Sequence, residues 1–179
     1  MRIETERLII RSLALEDEQA FIDMASDGSL TEIFGDCSQC DTWMGDWIRE
    51  SMQLEGQNNP NREYLAFVIE EKTGNQAVGS VGTSYYEDMQ KTGITYFIGS
   101  RFRGQGYAAE AVSGFVQHFF KHYDTDILIA RVRVRNEASC KTLERAGFVL
   151  YDTDMYQDMY EETPELSNFY QIIKGTTFP

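Results

Sequence analysis

Residues 108–123 carry an apolar series that admits one shape. Ala108, Ala111, Val112, Phe115, Val116, Phe119, Phe120 and Tyr123 recur at the spacing of a helix with one broad apolar face. A face with three phenylalanines needs a layer of matching apolar surface to cover it. The neighbouring segments supply that layer as strands. Residues 64–70, 77–86 and 94–99 are rich in β-formers, and turn residues at 73–75 and 87–92 separate them. Connections this short predict an antiparallel meander.

The rest of the chain extends the pattern. Residues 2–13 read as one strand around Leu8, Ile9 and Ile10. A helix follows from the Glu16-Asp17-Glu18 cluster through Phe21, Met24 and Ala25 to Gly28. Ala14 or Leu15 stands at its cap, where neither can accept a hydrogen bond, so that end is expected to be weak. A loop containing Gly35 and Asp36 leads to a second helix, capped by Asp41 or Thr42. It carries Trp43, Met44, Trp47 and Ile48 at helical spacing, which places the two tryptophans in a core rather than a binding stack. Residues 126–134 form a strand in which Arg131, Arg133 and Arg135 alternate with Val132 and Val134. Asn136 caps the next helix, and Gly147-Phe148 stops it. Short strands at 148–151 and 168–174 close the chain. The order β-α-α-β-β-β-α-β-α-β-β predicts an α/β fold. It is a single domain over residues 1–179, with a mixed, mostly antiparallel central sheet of about seven strands flanked by about four helices. No repeat, linker or low-complexity stretch divides it.

Composition excludes several classes. The longest unbroken apolar run, Tyr64 to Ile69, is six residues, too short to span a membrane. The N-terminus carries Glu4 and Glu6 and no apolar signal core. Three cysteines are an odd count, which argues against a disulfide framework and for a reducing, cytoplasmic location. Sixteen basic and 29 acidic residues give −13, a field that repels nucleic acid and anionic lipid, so neither is an expected partner. The charge is uneven, however. Between Arg101 and Arg145 eight basic residues face five acidic ones, a local +3 that leaves −16 for the remainder.

That basic window contains the segment with the most chemical information, Gly99-Ser100-Arg101-Phe102-Arg103-Gly104-Gln105-Gly106-Tyr107-Ala108. It joins a strand to the phenylalanine-rich helix. Its glycines permit positive φ and a close approach of backbone to ligand. The helix start presents free N–H groups and the positive end of a dipole. Arg101 and Arg103 add charge, and together these features make a phosphate or diphosphate site. A tight turn or close helix packing would explain the glycines but not the arginines. No Gly-Lys-Ser or Gly-Lys-Thr is present, which excludes a nucleotide triphosphate loop. Gly104, Gly106 and Ala109 fit a weak dinucleotide fingerprint. The next strand ends in arginine and asparagine instead of an acid, though, and only 44 residues follow Arg135. A dinucleotide-binding oxidoreductase is therefore the poorer alternative.

Arg101-x-x-Gly104-x-Gly106 with Tyr107-Ala108-x-Glu110-Ala111 resembles the acyl-CoA signature of the GNAT superfamily of N-acetyltransferases. The likeness continues through Asn136-x-x-Ser139 and Leu143-Glu144-Arg145-Ala146-Gly147-Phe148. The opening Glu4-Thr5-Glu6-Arg7-Leu8-Ile9-Ile10-Arg11 is similar to the first strand of the subgroup that acetylates ribosomal-protein N-termini (RimJ/RimL-type). The resemblance implies the acyl-CoA N-acyltransferase fold, with acetyl-CoA as co-substrate and no metal. It implies pantetheine in a gap beside Phe97, Ile98 and Gly99. It implies a diphosphate on the N–H groups from Arg103 through Gly104, Gln105, Gly106 and Tyr107 to Ala108, with Arg101 near, and Asn136 and Ser139 facing pantetheine from the other side. The reaction implied is direct attack of a primary amine on the thioester in a ternary complex, with a strand N–H stabilising the oxyanion.

The chain departs from the family pattern at two positions. Leu143 stands where many relatives carry a tyrosine that protonates the leaving thiolate, and Ser139 is the candidate that replaces it. Gly93 stands where relatives often carry glutamate, so proton removal is expected to run through water to a loop carboxylate. A CoA-binding module without activity is the alternative that these absences leave open. Asp152, Asp154, Asp158, Glu161, Glu162 and Glu165 are six acids in 14 residues, interleaved with Tyr151, Tyr156 and Tyr160. With Glu32, Asp36, Asp41 and Asp46 on a second wall, they suggest a cationic acceptor. A polyamine, an aminoglycoside-like amine or a basic peptide or protein N-terminus would suit, with the enzyme a monomer or homodimer. Cys37-x-x-Cys40 and His118-x-x-x-His122 lack zinc-site spacing, and Cys37-x-x-Cys40 lacks the strand-to-helix setting of a redox pair. Cys140 is expected as a buried filler beside the thioester channel.

Overall fold

Eight strands form one sheet in the computed structural model of the chain, which describes residues 1–157 and 163–176. They are β1 (Arg2–Glu4), β2 (Leu8–Ser12), β3 (Leu65–Glu71), β4 (Gln76–Tyr86), β5 (Lys91–Ile98), β6 (Ile127–Arg133), β7 (Val149–Tyr156) and β8 (Glu165–Ile173). The helices are α1 (Glu18–Ala25), α2 (Thr31–Phe34), α3 (Cys40–Gln57), α4 (Tyr107–His122) and α5 (Glu137–Arg145). Across the sheet the order is β1-β2-β3-β4-β5-β6-β8-β7. Every neighbouring pair is antiparallel except β5 and β6. The expected α/β fold and its meander, β3-β4-β5, are present. Among the described residues no helix is long and apolar enough to cross a membrane.

The element count is slightly higher than the pattern suggests, for local reasons. Residues 2–13 are a hairpin of two strands instead of one. Thr5 folds the chain back, its N–H donating to Leu8 O at 3.0 Å while its Oγ1 accepts Leu8 N–H at 3.1 Å. Ile3 then pairs with Ile10. The loop around residue 33 closes one helical turn, α2. β7 runs to Tyr156, well past residue 151, because β8 supplies a paired edge for Asp152 and Asp154. Both acids remain exposed on this outermost strand, where charge blunts an open edge.

Helix ends follow the expected chemistry with one substitution. Ala14 offers no cap, and Asp17 supplies what is missing. Its carboxylate accepts Ala14 N–H at 2.9 Å and holds Arg11 through both guanidinium nitrogens at 2.9 and 2.8 Å. Arg11 also donates to Glu70 at 2.7 Å, tying the start of α1 to β2 and β3. α3 begins one residue before Asp41, with no side-chain cap. Asn136 caps α5 as expected, its Oδ1 accepting Ser139 N–H at 3.2 Å. Gly147, at φ 85°, ends the helix and lets Phe148 N–H return to Leu143 O at 3.0 Å.

The sheet separates two apolar layers. On one face α4 buries Ala111, Val112, Phe115, Val116, Phe119 and Phe120 against Ile10, Phe67, Ile69 and Val81, with α5 adding Leu143. On the other, Phe21 and Met24 of α1 and Met44 and Ile48 of α3 cover Ala66, Val68 and Phe97. Trp43 and Trp47 belong to this second core, packed tilted and edge-on against Phe34 at ring separations of 5.6 and 5.1 Å. Phe115 is 1% exposed and packs on Phe67 at 5.6 Å. Phe115→Ala should lower the unfolding free energy by about 3–5 kcal/mol, as read by guanidinium denaturation. A loss below about 1 kcal/mol would contradict this account of the core.

Candidate functional site

The parallel neighbours β5 and β6 share a single registered pair, Gly93 with Ile129. The other edge of β5 is bonded to β4 along its whole length, from Lys91 with Tyr86 to Ile98 with Gly79. From Thr95 to Ile98, therefore, β5 has a strand on one side and a gap on the other. Thr95 is exposed although it lies in the interior of the sheet. Backbone donors and acceptors along such an edge seek partners, and an extended amide-bearing ligand can take the place of the missing strand.

The gap leads to the glycine bend. After a single 3₁₀ turn at Ser100–Phe102, Gly104 and Gly106 adopt φ 77° and 80°. A Cβ at Gly104 would meet nothing within 4 Å, so it is the left-handed conformation that selects glycine there. The bend aims a run of amides outward. The N–H groups of Gly104, Gln105, Gly106, Tyr107, Ala108 and Ala109 meet no acceptor among the described residues. With the dipole of the 16-residue helix α4 behind them, they form an anion cradle.

Arg7, at the turn between β1 and β2, holds this cradle in place. Its Nη1 donates to Gln105 O at 2.8 Å and its Nε to Glu110 Oε2 at 2.7 Å, while its guanidinium lies 4.9 Å from the Tyr107 ring centre. Glu110, in the first turn of α4, also accepts Arg7 N–H at 2.7 Å and the Thr5 hydroxyl at 2.6 Å. Burial raises the Glu110 pKa, but the Thr5 and Arg7 hydrogen bonds outweigh it and hold the carboxyl below its usual range. Spacing alone did not reveal this support, because its partners lie about a hundred residues apart in sequence.

The two arginines of the bend differ in role. Arg101 is exposed beside the Phe102 ring and has no carboxylate partner among the described residues. Arg103 is braced where Arg101 is mobile. Its Nε donates to Ile98 O at 2.9 Å and its Nη2 to Ser29 O at 3.1 Å, so its side chain ties the bend to the loop after α1. Ser100 reinforces that tie by donating to Asp27. Hydrogen bonds from Ser100, then from Ser29, lower the Asp27 pKa to about 2.

The far wall of the gap comes from α5. Ser139 Oγ lies 2.7 Å from the hydroxyl of Tyr96, a β5 residue not singled out from the sequence. Burial pushes the Tyr96 phenol up to about 12. Asn136 is exposed beside them, with its side-chain oxygen on the cap bond. Leu143 is fully buried hydrocarbon. Gly93 has no room for a longer side chain, since a Cβ there would stand 2.3 Å from the Tyr86 ring. Cys140 is buried as expected, accepting from Asn168 Nδ2 at 3.6 Å.

The acids are less concentrated than their sequence suggests. Glu32 of α2 and Glu165 of β8 meet across the open end of the gap, where Arg133 and Arg135 bridge them at 3.1–3.5 Å. Asp36 is used by Ser38 in its own turn, and Asp46 pairs with Arg49 on the surface of α3. Asp41 is exposed in the first turn of α3. Asp152 and Asp154 border a recess with Met89, Tyr151, Tyr156 and Phe169. Asp158, Tyr160, Glu161 and Glu162 lie outside the described residues. Cys37 and Cys40 are buried in the α1–α3 core, whereas His118 and His122 stack at 3.8 Å beside a cleft between β1 and α4. Among the described residues no three such side chains gather as metal ligands.

Residues 7–149 match the family model described as an acetyltransferase (GNAT) domain. The uncharacterized N-acetyltransferase p20 of Bacillus licheniformis is 29% identical over 152 residues, covering 80% of each chain. Among solved structures, the ribosomal L7/L12 alpha-N-protein acetyltransferase RimL in complex with coenzyme A is similar in fold. It has a TM-score of 0.81 at 16% identity, with 99% of this chain and 100% of that one covered. The microcin C7 self-immunity acetyltransferase MccE, in complex with acetyl-CoA and AMP, has a TM-score of 0.77 at 18% identity over 94% and 93% of the two chains.

The Asp27–Ser100 bond has a pH signature. The Asp27 pKa falls from 3.8 to about 2 on folding, so its contribution is fully present above the unfolded value and disappears as pH falls through about 2. Asp27→Asn should therefore melt lower than wild type at pH 5, and the difference should shrink between pH 4 and pH 2. A difference that stays constant over that range would show that the carboxylate charge is not responsible.

Proposed function

This chain belongs to the acetyltransferase (GNAT) domain family, and from that premise we propose that its single domain, residues 1–179, transfers an acetyl group from acetyl-CoA to a primary amine. The observation that carries the reading is the continuous ligand path: an unpaired β5 edge leading into a cradle of unpartnered amides. Pantetheine has polar groups spaced along an extended chain, which suits the edge at Phe97, Ile98 and Gly99. The diphosphate suits the amides from Gly104 to Ala109, with Arg101 as the mobile charge. Arg103 braces the bend through Nε on Ile98 O and Nη2 on Ser29 O, and its Nη1 stays available to the phosphates. Asn136 and Ser139 approach pantetheine from α5.

The chemistry follows from these placements. The amine nitrogen attacks the thioester carbonyl carbon, and the carbon–sulfur bond breaks with its electron pair going to sulfur. An N–H on the open β5 edge stabilises the oxyanion while it exists. The Ser139 hydroxyl donates to the departing sulfur, since buried Leu143 has nothing to donate. Before attack the acceptor's ammonium form loses one proton through water to a carboxylate at the open end of the gap, since Gly93 offers no side chain for the task. After attack the cationic nitrogen loses a second proton, which neutralises the thiolate. The net change is amine plus thioester to amide plus thiol.

We assign the acceptor to small cationic amines or a basic peptide N-terminus. Support comes from the Asp152–Asp154 recess with its tyrosines, and from Asp88, which accepts the Tyr156 hydroxyl at 3.0 Å. RimL is named as an alpha-N-protein acetyltransferase and MccE as a microcin C7 self-immunity acetyltransferase bound to acetyl-CoA and AMP, so acceptors of more than one kind suit this fold.

Acetyl-CoA at a hundred times its Kd should stabilise the protein by about 2.7 kcal/mol, whereas NAD(P)H should leave its melting unchanged. Free CoA should then appear when a panel of primary amines is added. Stabilisation without CoA release from any amine would point to a binding module instead. Across that panel, KM for spermidine and for a basic peptide should rise with salt, as expected for charge attraction in an exposed site. A KM indifferent to both salt and acceptor charge would remove the cationic assignment.

A further inference from the structure

We propose that Tyr96 is a positioning residue that holds the Ser139 hydroxyl toward the sulfur of the bound thioester. The inference deepens the acetyl-CoA reading above and rests on it. Tyr96 shares a face of β5 with Ile94 and Ile98, the face covered by α4 and α5. Because β5 and β6 part beyond Gly93 and Ile129, its ring reaches under the gap to the first turn of α5. There its hydroxyl meets Ser139 twice, at 2.7 Å from Oγ and 3.2 Å from the carbonyl oxygen. One phenol thereby links both walls of the ligand path.

The pair has two hydrogen arrangements that need no movement of heavier atoms. In the first, Tyr96 O–H donates to Ser139 O, and Ser139 O–H donates to Tyr96 Oη. In the second, Tyr96 O–H donates to Ser139 Oγ, and the Ser139 proton turns outward to a new acceptor. A sulfur gaining negative charge as the carbon–sulfur bond breaks is such an acceptor. Ser139 gives the hydrogen bond and keeps its proton. The nitrogen, cationic once its bond to the carbonyl carbon has formed, releases through water the proton that neutralises the thiolate.

Of the neighbouring groups on α5, Thr142 Oγ1 donates to Ala138 O at 2.9 Å and also lies beside the Tyr96 phenol, Cys140 Sγ accepts from Asn168, and Leu143 has no donor. Burial keeps Tyr96 a neutral phenol throughout the working range, so it remains a donor. A phenol held by α5 also fixes the Ser139 rotamer, which a serine on an exposed helix turn would otherwise sample freely.

The test uses the full chain with Tyr96→Phe, Ser139→Ala and the double variant. Tyr96→Phe retains the ring and its packing. It should lower kcat about tenfold with KM for acetyl-CoA within about twofold of wild type, and Ser139→Ala should lower kcat further. The double variant should match Ser139→Ala alone, since Tyr96 acts only through that hydroxyl. A second readout needs no acceptor: calorimetric binding of CoA and of desulfo-CoA near pH 9, where part of the thiol is ionised. Tyr96→Phe should bind desulfo-CoA as wild type does and lose affinity for CoA. Additive effects on kcat, an unchanged kcat in Tyr96→Phe, or equal weakening of both ligands would overturn the inference alone. A wild-type chain that binds neither ligand would defeat the acetyl-CoA reading and this inference together.

Discussion

The site depends on β5 being bonded along one edge only. A sheet ordinarily satisfies both edges of an inner strand, and β5 is an inner strand of eight. Its partnership with β6 ends after the Gly93–Ile129 pair, while α4 and α5 fill the space beneath the divergence. Gly93 makes the close contact feasible, because a larger residue would strike Tyr86 or the Ile129 carbonyl. The compact join at one end and the opening at the other are consequences of the same pairing. Tyr96 exploits this geometry, since only a side chain starting beside the opening can reach α5 from β5.

An opening lined with free amides needs rigid surroundings, or the backbone would collapse to satisfy itself. The cradle is braced from two directions. Arg7 and Thr5 fix Glu110 and the Gln105 carbonyl from the β1–β2 turn. Arg103 and Ser100 fix the other flank through Ser29, Asp27 and Ile98. In each case a polar side chain engages a carbonyl or carboxylate and leaves the N–H groups alone. The cradle is therefore preorganised for an anion, and the same braces couple it to the loop after α1, which borders the opposite mouth of the gap.

Features governed by local rules were legible in the sequence. The spacing of Phe115, Phe119 and Phe120 placed α4, the glycine pair placed the bend, Asn136 announced its cap and Gly147 its stop. What could not be read was set by contacts distant along the chain. Thr5 splits the first strand through a local turn, but the resulting hairpin matters because Arg7 then reaches Gln105 and Glu110. The bracing of Arg103 could not be read because no sequence rule reveals that Ile98 O and Ser29 O lie within its reach. Tyr96 looked like an ordinary strand aromatic until α5 supplied its partner. Asp152 and Asp154, both poor strand formers, became part of β7 because β8 offered a paired edge.

The charge pattern needs the same revision, and it sharpens the account of ligand binding. Eight basic residues between Arg101 and Arg145 give that window a local +3 and mark an anion site within an acidic chain. In the fold, Arg133 and Arg135 are offset by Glu32 and Glu165, Lys141 pairs with Glu137, and Arg103 is tethered to two carbonyls. Little long-range attraction survives from that window in a chain of net charge −13. An anionic ligand must therefore be held at short range, by oriented amides, the α4 dipole and Arg101. Short-range dipoles discriminate by shape, because their field fades within the first turn of the helix. The glycine geometry thus carries both affinity and selectivity at the bend, while the surrounding acids keep other polyanions away.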